Sequence, residues 1–217
     1  LQKNLTYQFR VSAINSVGVG AVSNTVTATT LATVPSAPRT PTVSNLAANS
    51  ATVTWAIPLD VGGLALTDYK VETSRDGITW TTITRAASLN TNINLTGLAP
   101  TTTYQVRVSA LNAQGYGEAT QVEFTTLATA PTAPITLTAS SITANSLTLS
   151  WQLPLSNGGS AITDYKVEFS SNSGTTWTEI PHTPSNNLAF NVTSLRSNQA
   201  YQFRVSAINA IGASPIS

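Results

Sequence analysis

Thr103-Tyr104-Gln105-Val106-Arg107-Val108-Ser109-Ala110-Leu111-Asn112 alternates apolar and polar residues with a period of two. Tyr104, Val106, Val108 and Ala110 fall on one side and Gln105, Arg107 and Ser109 on the other, the pattern of a strand with one face against a core. The stretch recurs as Ala200-Tyr201-Gln202-Phe203-Arg204-Val205-Ser206-Ala207-Ile208-Asn209 and as Thr6-Tyr7-Gln8-Phe9-Arg10-Val11-Ser12-Ala13-Ile14-Asn15. Its tyrosines stand at 7, 104 and 201, a constant period of 97 residues. Trp55 and Trp151, Tyr69 and Tyr165, and Trp80 and Trp177 keep that spacing to within one residue. A unit of about 97 residues has the size of an independent sandwich module.

Outward from this strand, every periodic stretch of the unit alternates in the same way and none carries a helical stripe. Ala51, Val53 and Trp55 oppose Thr52 and Thr54, and Tyr69, Val71 and Thr73 oppose Lys70 and Glu72. Turn residues separate the runs at Gly62-Gly63, Asp76-Gly77, Asn157-Gly158-Gly159 and Ser173-Gly174. The fold class that follows is all-β, with tandem seven-stranded immunoglobulin-like β-sandwiches. The segments Leu31 to Pro38 and Leu127 to Pro134 repeat between units, and their prolines fix φ, so they read as short, stiff linkers.

In this register Leu1 aligns with Leu98 and Leu195, and Ser217 with Thr120. Residues 1–32 then supply the last two strands of one module, residues 33–129 a complete module, and residues 130–217 a module lacking most of its last strand. Tyr7, Phe9 and Val11 have no opposing sheet within their own unit. With no initiator Met, the chain reads as a window on a longer array.

These residues closely resemble fibronectin type III domains over essentially the whole chain. The resemblance is carried by Trp55 and Trp151, by Pro58 to Tyr69 with Pro154 to Tyr165, and by Leu98 to Tyr104, which is similar to a tyrosine corner. Arg107 to Asn112, followed by Gly115 and Gly117, completes the set. The Gly158-Gly159-x-x-Ile162-Thr163-Asp164-Tyr165 form is similar to modules of giant muscle proteins, bacterial surface proteins and secreted polysaccharide-degrading enzymes. The abundance of Thr and Asn and the scarcity of Lys point toward a bacterial source. The resemblance implies a non-catalytic structural, spacer or adhesion segment of an extracellular surface or filament-forming protein. Its partners are other proteins or copies of itself, with polysaccharide as a further class. The alternative is a set of accessory modules in a secreted polysaccharide-degrading enzyme. The Arg-Gly-Asp tripeptide of some family members is missing, since Arg75-Asp76-Gly77 has the wrong order and belongs to a hairpin turn.

Composition narrows the function. Charged residues make up 9% of the 217, against roughly 25% in ordinary soluble domains, and the net charge is only +1. No basic run offers a footprint for phosphate, so nucleic acid is excluded as a partner class. No apolar run approaches the ~18 residues of a membrane helix, so no membrane insertion is expected of this segment. The absence of Cys removes disulfides, thiolate metal sites and a Cys nucleophile. No cofactor, metal or catalytic residue is expected.

Four sets of residues remain as candidates. His182, the single His, has no motif partners and reads as a loop surface residue. Asp68 and Glu72, with Asp164 and Glu168, lie too far apart along a strand for acid/base work and read as surface charge pairs with Arg107 and Arg204. Trp80 and Trp177, each just after a hairpin turn, are the candidate contacts for a partner or a sugar ring, weighed against packing on their own sheet. Asn94-Leu95-Thr96 and Asn191-Val192-Thr193 fit the N-glycosylation pattern at equivalent positions, which Asn facing solvent on a strand also explains. Trp55 and Trp151 should be buried against Tyr69 and Tyr165, and Tyr104 and Tyr201 should donate their hydroxyls to backbone at the preceding corner.

Overall fold

The computed structural model describes all residues from Leu1 to Ser217, as strands joined by loops and turns with no helix. The chain divides into two compact units. One comprises Leu1–Leu46, Ser50–Thr96 and Thr103–Thr125, the other Ala47–Asn49, Gly97–Thr102 and Thr126–Ser217.

The first unit opens with two antiparallel ribbons, β1 (Thr6–Phe9) with β4 (Val26–Thr29) and β2 (Ser12–Asn15) with β3 (Gly18–Val22). Sequence alternation predicts two continuous strands here, whereas four short ones are observed. The break falls at Arg10–Val11, where the Val11 amide donates to the Ser23 hydroxyl at 3.0 Å and a bulge follows between Ser12 and Ile14. A side-chain oxygen has taken the place of a ladder carbonyl. Val11 and Ile14 are 73% and 75% exposed, so no second sheet covers this ribbon.

The rest of that unit is a sandwich. Its three-stranded sheet runs β5 (Arg39–Ser44), β6 (Ser50–Ala56), β9 (Asn92–Thr96). Its four-stranded sheet runs β11 (Gly115–Thr125), β10 (Thr103–Asn112), β7 (Asp68–Ser74), β8 (Thr81–Thr82). Every pairing is antiparallel. The apolar parities read from the sequence meet inside: Val53, Trp55 and Leu95 from one sheet, Tyr69, Val71, Val106 and Val108 from the other, all buried. The Trp55 and Tyr69 rings lie 5.4 Å apart, edge to face, a geometry that adds about 0.5–1.5 kcal/mol beyond area burial.

The second unit repeats this plan with β12 (Ile135–Ser140), β13 (Leu147–Gln152), β16 (Ala189–Val192) in one sheet. The other is β15 (Thr178–Glu179), β14 (Ile162–Ser170), β17 (Gln202–Asn209). Trp151 and Tyr165 again meet, with ring centroids 5.2 Å apart, among Leu149, Val167, Val192 and Val205. After β17 the chain turns back through a bridge between Ile208 and Ala213, and the Ser214 and Ser217 amides donate to the Ala207 and Val205 carbonyls. Pro215, between those two donors, has no amide to offer the ladder.

The corner tyrosines differ from expectation in one respect. Their hydroxyls accept: the Arg196 amide donates to Tyr201 at 3.0 Å and the Gln2 amide to Tyr7 at 2.5 Å. Where the chain leaves the sheet these amides lose their ladder acceptor, and the phenol oxygen replaces it. The Tyr104 hydroxyl accepts from the Arg75 guanidinium at 2.9 Å.

Candidate functional site

The polar faces of the β11-β10-β7-β8 and β15-β14-β17 sheets carry one repeated stack. In the first unit Arg107 on β10 is in register with Glu72 on β7 and donates to its carboxylate at 2.7 Å. The guanidinium lies 4.2 Å from the centroid of the Trp80 ring, whose Nε1 donates to the Gly77 carbonyl at 3.2 Å. Lys70 approaches Glu72 at 3.3 Å and lies over Tyr116 at 5.0 Å. In the second unit Arg204 donates to Glu168 at 2.8 Å and lies 4.2 Å from the Trp177 ring, and Trp177 donates to the Gly174 carbonyl at 3.1 Å. Lys166 completes it, 2.9 Å from Glu168. The arginine bonds are the main cause that holds the Glu72 and Glu168 carboxyls below their ordinary range. Each cation–π contact contributes about 0.5–1 kcal/mol at such half-exposed positions.

Trp80 and Trp177 are thus both half-buried. One face of each ring is occupied by an arginine guanidinium. The tight turn before Trp80 is fixed by Asp76, whose carboxylate accepts from the Ile78 and Thr79 amides at 2.8 Å each and from the Ser74 hydroxyl. These bonds, led by the Thr79 amide, hold its pKa far below the usual carboxylate value. Asn94 and Asn191 are exposed, and each Oδ1 accepts at 2.9 Å from a threonine hydroxyl of the neighbouring strand, Thr52 or Thr148.

Asp68 pairs with Arg85 at 2.8 Å and not with Arg107. His182 is not a free surface residue. Only 15% of its side chain is exposed, and it sits between the Ile180 carbonyl, the Asp164 carboxylate and the Phe190 ring. No group of three or more His, Cys, Asp or Glu is arranged to hold a metal ion.

Sequence reasoning missed a second repeated feature, a clamp on each linker. Asn112, at the end of β10, donates from Nδ2 to the Thr33 and Val61 carbonyls at 2.8 Å each. The Thr33 amide donates in turn to the Gly62 carbonyl at 2.9 Å. In the second unit Asn209 donates to the Thr129 and Asn157 carbonyls at 2.8 Å each, and the Thr129 amide donates to Gly158 at 2.8 Å. Gly62 and Gly158 have φ of 77° and 70°. A Cβ on either would fall 2.0 Å from the carbonyl oxygen of Thr33 or Thr129. The glycines therefore serve both the turn and the close approach of the linker. The signal in sequence was the identical place of Asn112 and Asn209 at the end of the repeated strand.

Two antiparallel sheets packed face to face around a Trp–Tyr pair, repeated along one chain, define a tandem immunoglobulin-like sandwich protein. Residues 36–126 and 130–217 both match the model of the fibronectin type III domain, and the chain belongs to that family. It is 33% identical over 220 residues to fruit-fly titin, covering 98% of this chain and 1% of the relative. It is 28% identical to human myomesin-2 and 27% to the chicken striated-muscle M-protein, covering 95% and 98% of this chain and 15% of each relative. A crystal structure of chicken CNTN1 FN1–FN3 domains aligns with 99% of this chain and 74% of its own, at 21% identity and a TM-score of 0.43. The three muscle relatives support a non-catalytic structural module. The bacterial source expected from composition finds no support among these relatives, which are animal proteins.

Proposed function

We propose that this chain is a spacer segment of a filament-forming structural protein, in which each module is held at a set angle to the linker that enters it. The observation that carries this reading is the clamp, present at both linkers with the same donor, the same acceptors and the same glycine. A linker whose amide and carbonyl are both engaged is held to its module, beyond the stiffness that its prolines already give it. Its partners, in this reading, are other proteins or further copies of the chain. The arginines laid over Trp80 and Trp177 argue against polysaccharide. A cell-surface location is not part of the reading, because comparable modules occur in muscle structural proteins.

Backbone NMR relaxation tests it. The Thr33 and Thr129 amides should show order parameters near 0.85, as in rigid backbone, and fall toward about 0.6 when Asn112 or Asn209 is replaced by alanine. Linker amides already at the flexible value in the native chain would refute the spacer mechanism.

A further inference from the structure

Asp68 and Asp164 occupy the same position of the repeat, and each ties down the loop that crosses between the sheets. In the first unit the Asp68 Oδ1 accepts from the Ser88 amide at 2.9 Å and from the Arg85 guanidinium at 2.8 Å, and Arg85 also donates to the Tyr69 carbonyl. In the second unit the Asp164 Oδ1 accepts from the Ser185 amide at 3.0 Å and the Tyr165 amide at 2.8 Å, and faces His182 Nε2 at 3.1 Å. His182 stands 97 residues after Arg85, so a titratable cation replaces a permanent one at the same point of the fold.

The ring geometry states which form the site was built for. His182 Nδ1 lies 3.0 Å from the Ile180 carbonyl while Nε2 faces the Asp164 carboxylate, and both oxygens are acceptors only. A neutral imidazole has one N–H, so one nitrogen would direct its lone pair at an oxygen; imidazolium satisfies both. The other neighbours do not compete for the proton. From β16 the ring meets Phe190 at 5.1 Å, and Trp151, Tyr165, Thr183, Ser185, Asn187 and Ala189 complete a cavity of about 210 Å³ beside it. The next charged groups on that face of the sheet, Lys166, Glu168, Glu179 and Arg204, close ion pairs among themselves.

We propose that Asp164 and His182 form a proton-operated latch on the loop of residues 180–188. The loop is held while the imidazole is doubly protonated and loosens on its deprotonation, opening the cavity beside Trp151 and Tyr165. The equivalent loop of the first unit, held by Asp68 and Arg85, stays shut throughout. The sign follows from the partners. The Ile180 carbonyl first, and then Asp164, raise the His182 pKa against the opposing effect of burial. The latch contributes its full stability below the ordinary imidazole value of about 6.5 and loses it as pH rises through the higher folded value.

Because His182 is the single His, its ring protons are assigned without ambiguity. An NMR titration of the native chain should place its pKa above about 6.5. Hydrogen exchange, corrected for the intrinsic rate, should show the Ser185 amide losing about fivefold protection between pH 6 and pH 8, with the Ser88 amide unchanged. His182→Arg should abolish the pH dependence at Ser185, and His182→Gln should give the loosened state at both pH values. A His182 pKa at or below the ordinary value would overturn the latch, as would equal Ser185 protection at the two pH values. The same holds for a pH response that survives in His182→Arg. Should His182→Arg fail to fold, the native titration and exchange still decide.

Discussion

Replacing Asn209 by alanine removes the two hydrogen bonds it donates, stranding the Thr129 and Asn157 carbonyls, together with the two that its Oδ1 accepts from the Ile211 and Gly212 amides. A half-buried acceptor left without a partner costs about 1–3 kcal/mol, so the urea midpoint of the second unit should fall accordingly. Gly158→Ala attacks the same clamp from the other side. It combines a left-handed φ of 70° with a Cβ 2.0 Å from the Thr129 oxygen, so the linker must lift away. The expected loss exceeds ~1 kcal/mol, with a shift of the Thr129 amide resonance as its local signature. In the core, Trp151→Ala should cost about 3–5 kcal/mol, because the indole is 5% exposed and lies against Tyr165.

Among the elements, β10 and β17 were the most legible, since their alternation places Tyr, Val and Ala on a parity that the fold buries without exception in Tyr104, Val106, Val108 and Ala110. The Trp–Tyr pairs followed from parity too, because a strand position fixes which face a side chain takes. The corner at Tyr201 was legible in place but not in polarity. Tyr201→Phe should lower the stability of the second unit by about 0.5–1.5 kcal/mol, with faster exchange at the Arg196 amide, which loses its acceptor. Of the clamps only the donors were legible, as an asparagine repeated at the end of the strand: Asn112 reaches carbonyls 79 and 51 residues away, and a backbone acceptor leaves no mark in the sequence. The latch was within reach, because the spacing of 97 that aligned the tyrosines also aligns His182 with Arg85. What concealed it was the irregular loop between β15 and β16, which has no alternation to say that its histidine turns inward. The break in Thr6–Asn15 arises from a serine hydroxyl competing with the ladder, which the apolar pattern does not record.

Over the whole molecule charge is sparse, and the strand and loop carboxylates Asp68, Glu72, Asp164 and Glu168 are each paired with a basic side chain. Arginine bonds lower the Glu72 and Glu168 carboxyls. In Asp68 and Asp164 burial acts upward, yet the loop amides and the basic partner outweigh it and leave both lowered. Carboxyls depressed in the folded state stabilise above their unfolded values, about 3.9 for Asp and 4.3 for Glu, and that contribution disappears as pH falls through the folded values. Calorimetry should therefore find both units losing thermal stability below about pH 4, and a midpoint unchanged from pH 5 to pH 3 would contradict these pairings. The linkers have a further consequence, in their susceptibility to cleavage. A protease draws several residues of its substrate into an extended cleft and takes over their backbone hydrogen bonds. Segments between modules are ordinarily where a chain is nicked first. At Thr33 and Thr129 both the amide and the carbonyl are already committed to the module that follows. Digestion there can proceed only as often as the clamp opens, so the rate of linker cutting by a nonspecific protease reports the opening equilibrium of the clamp.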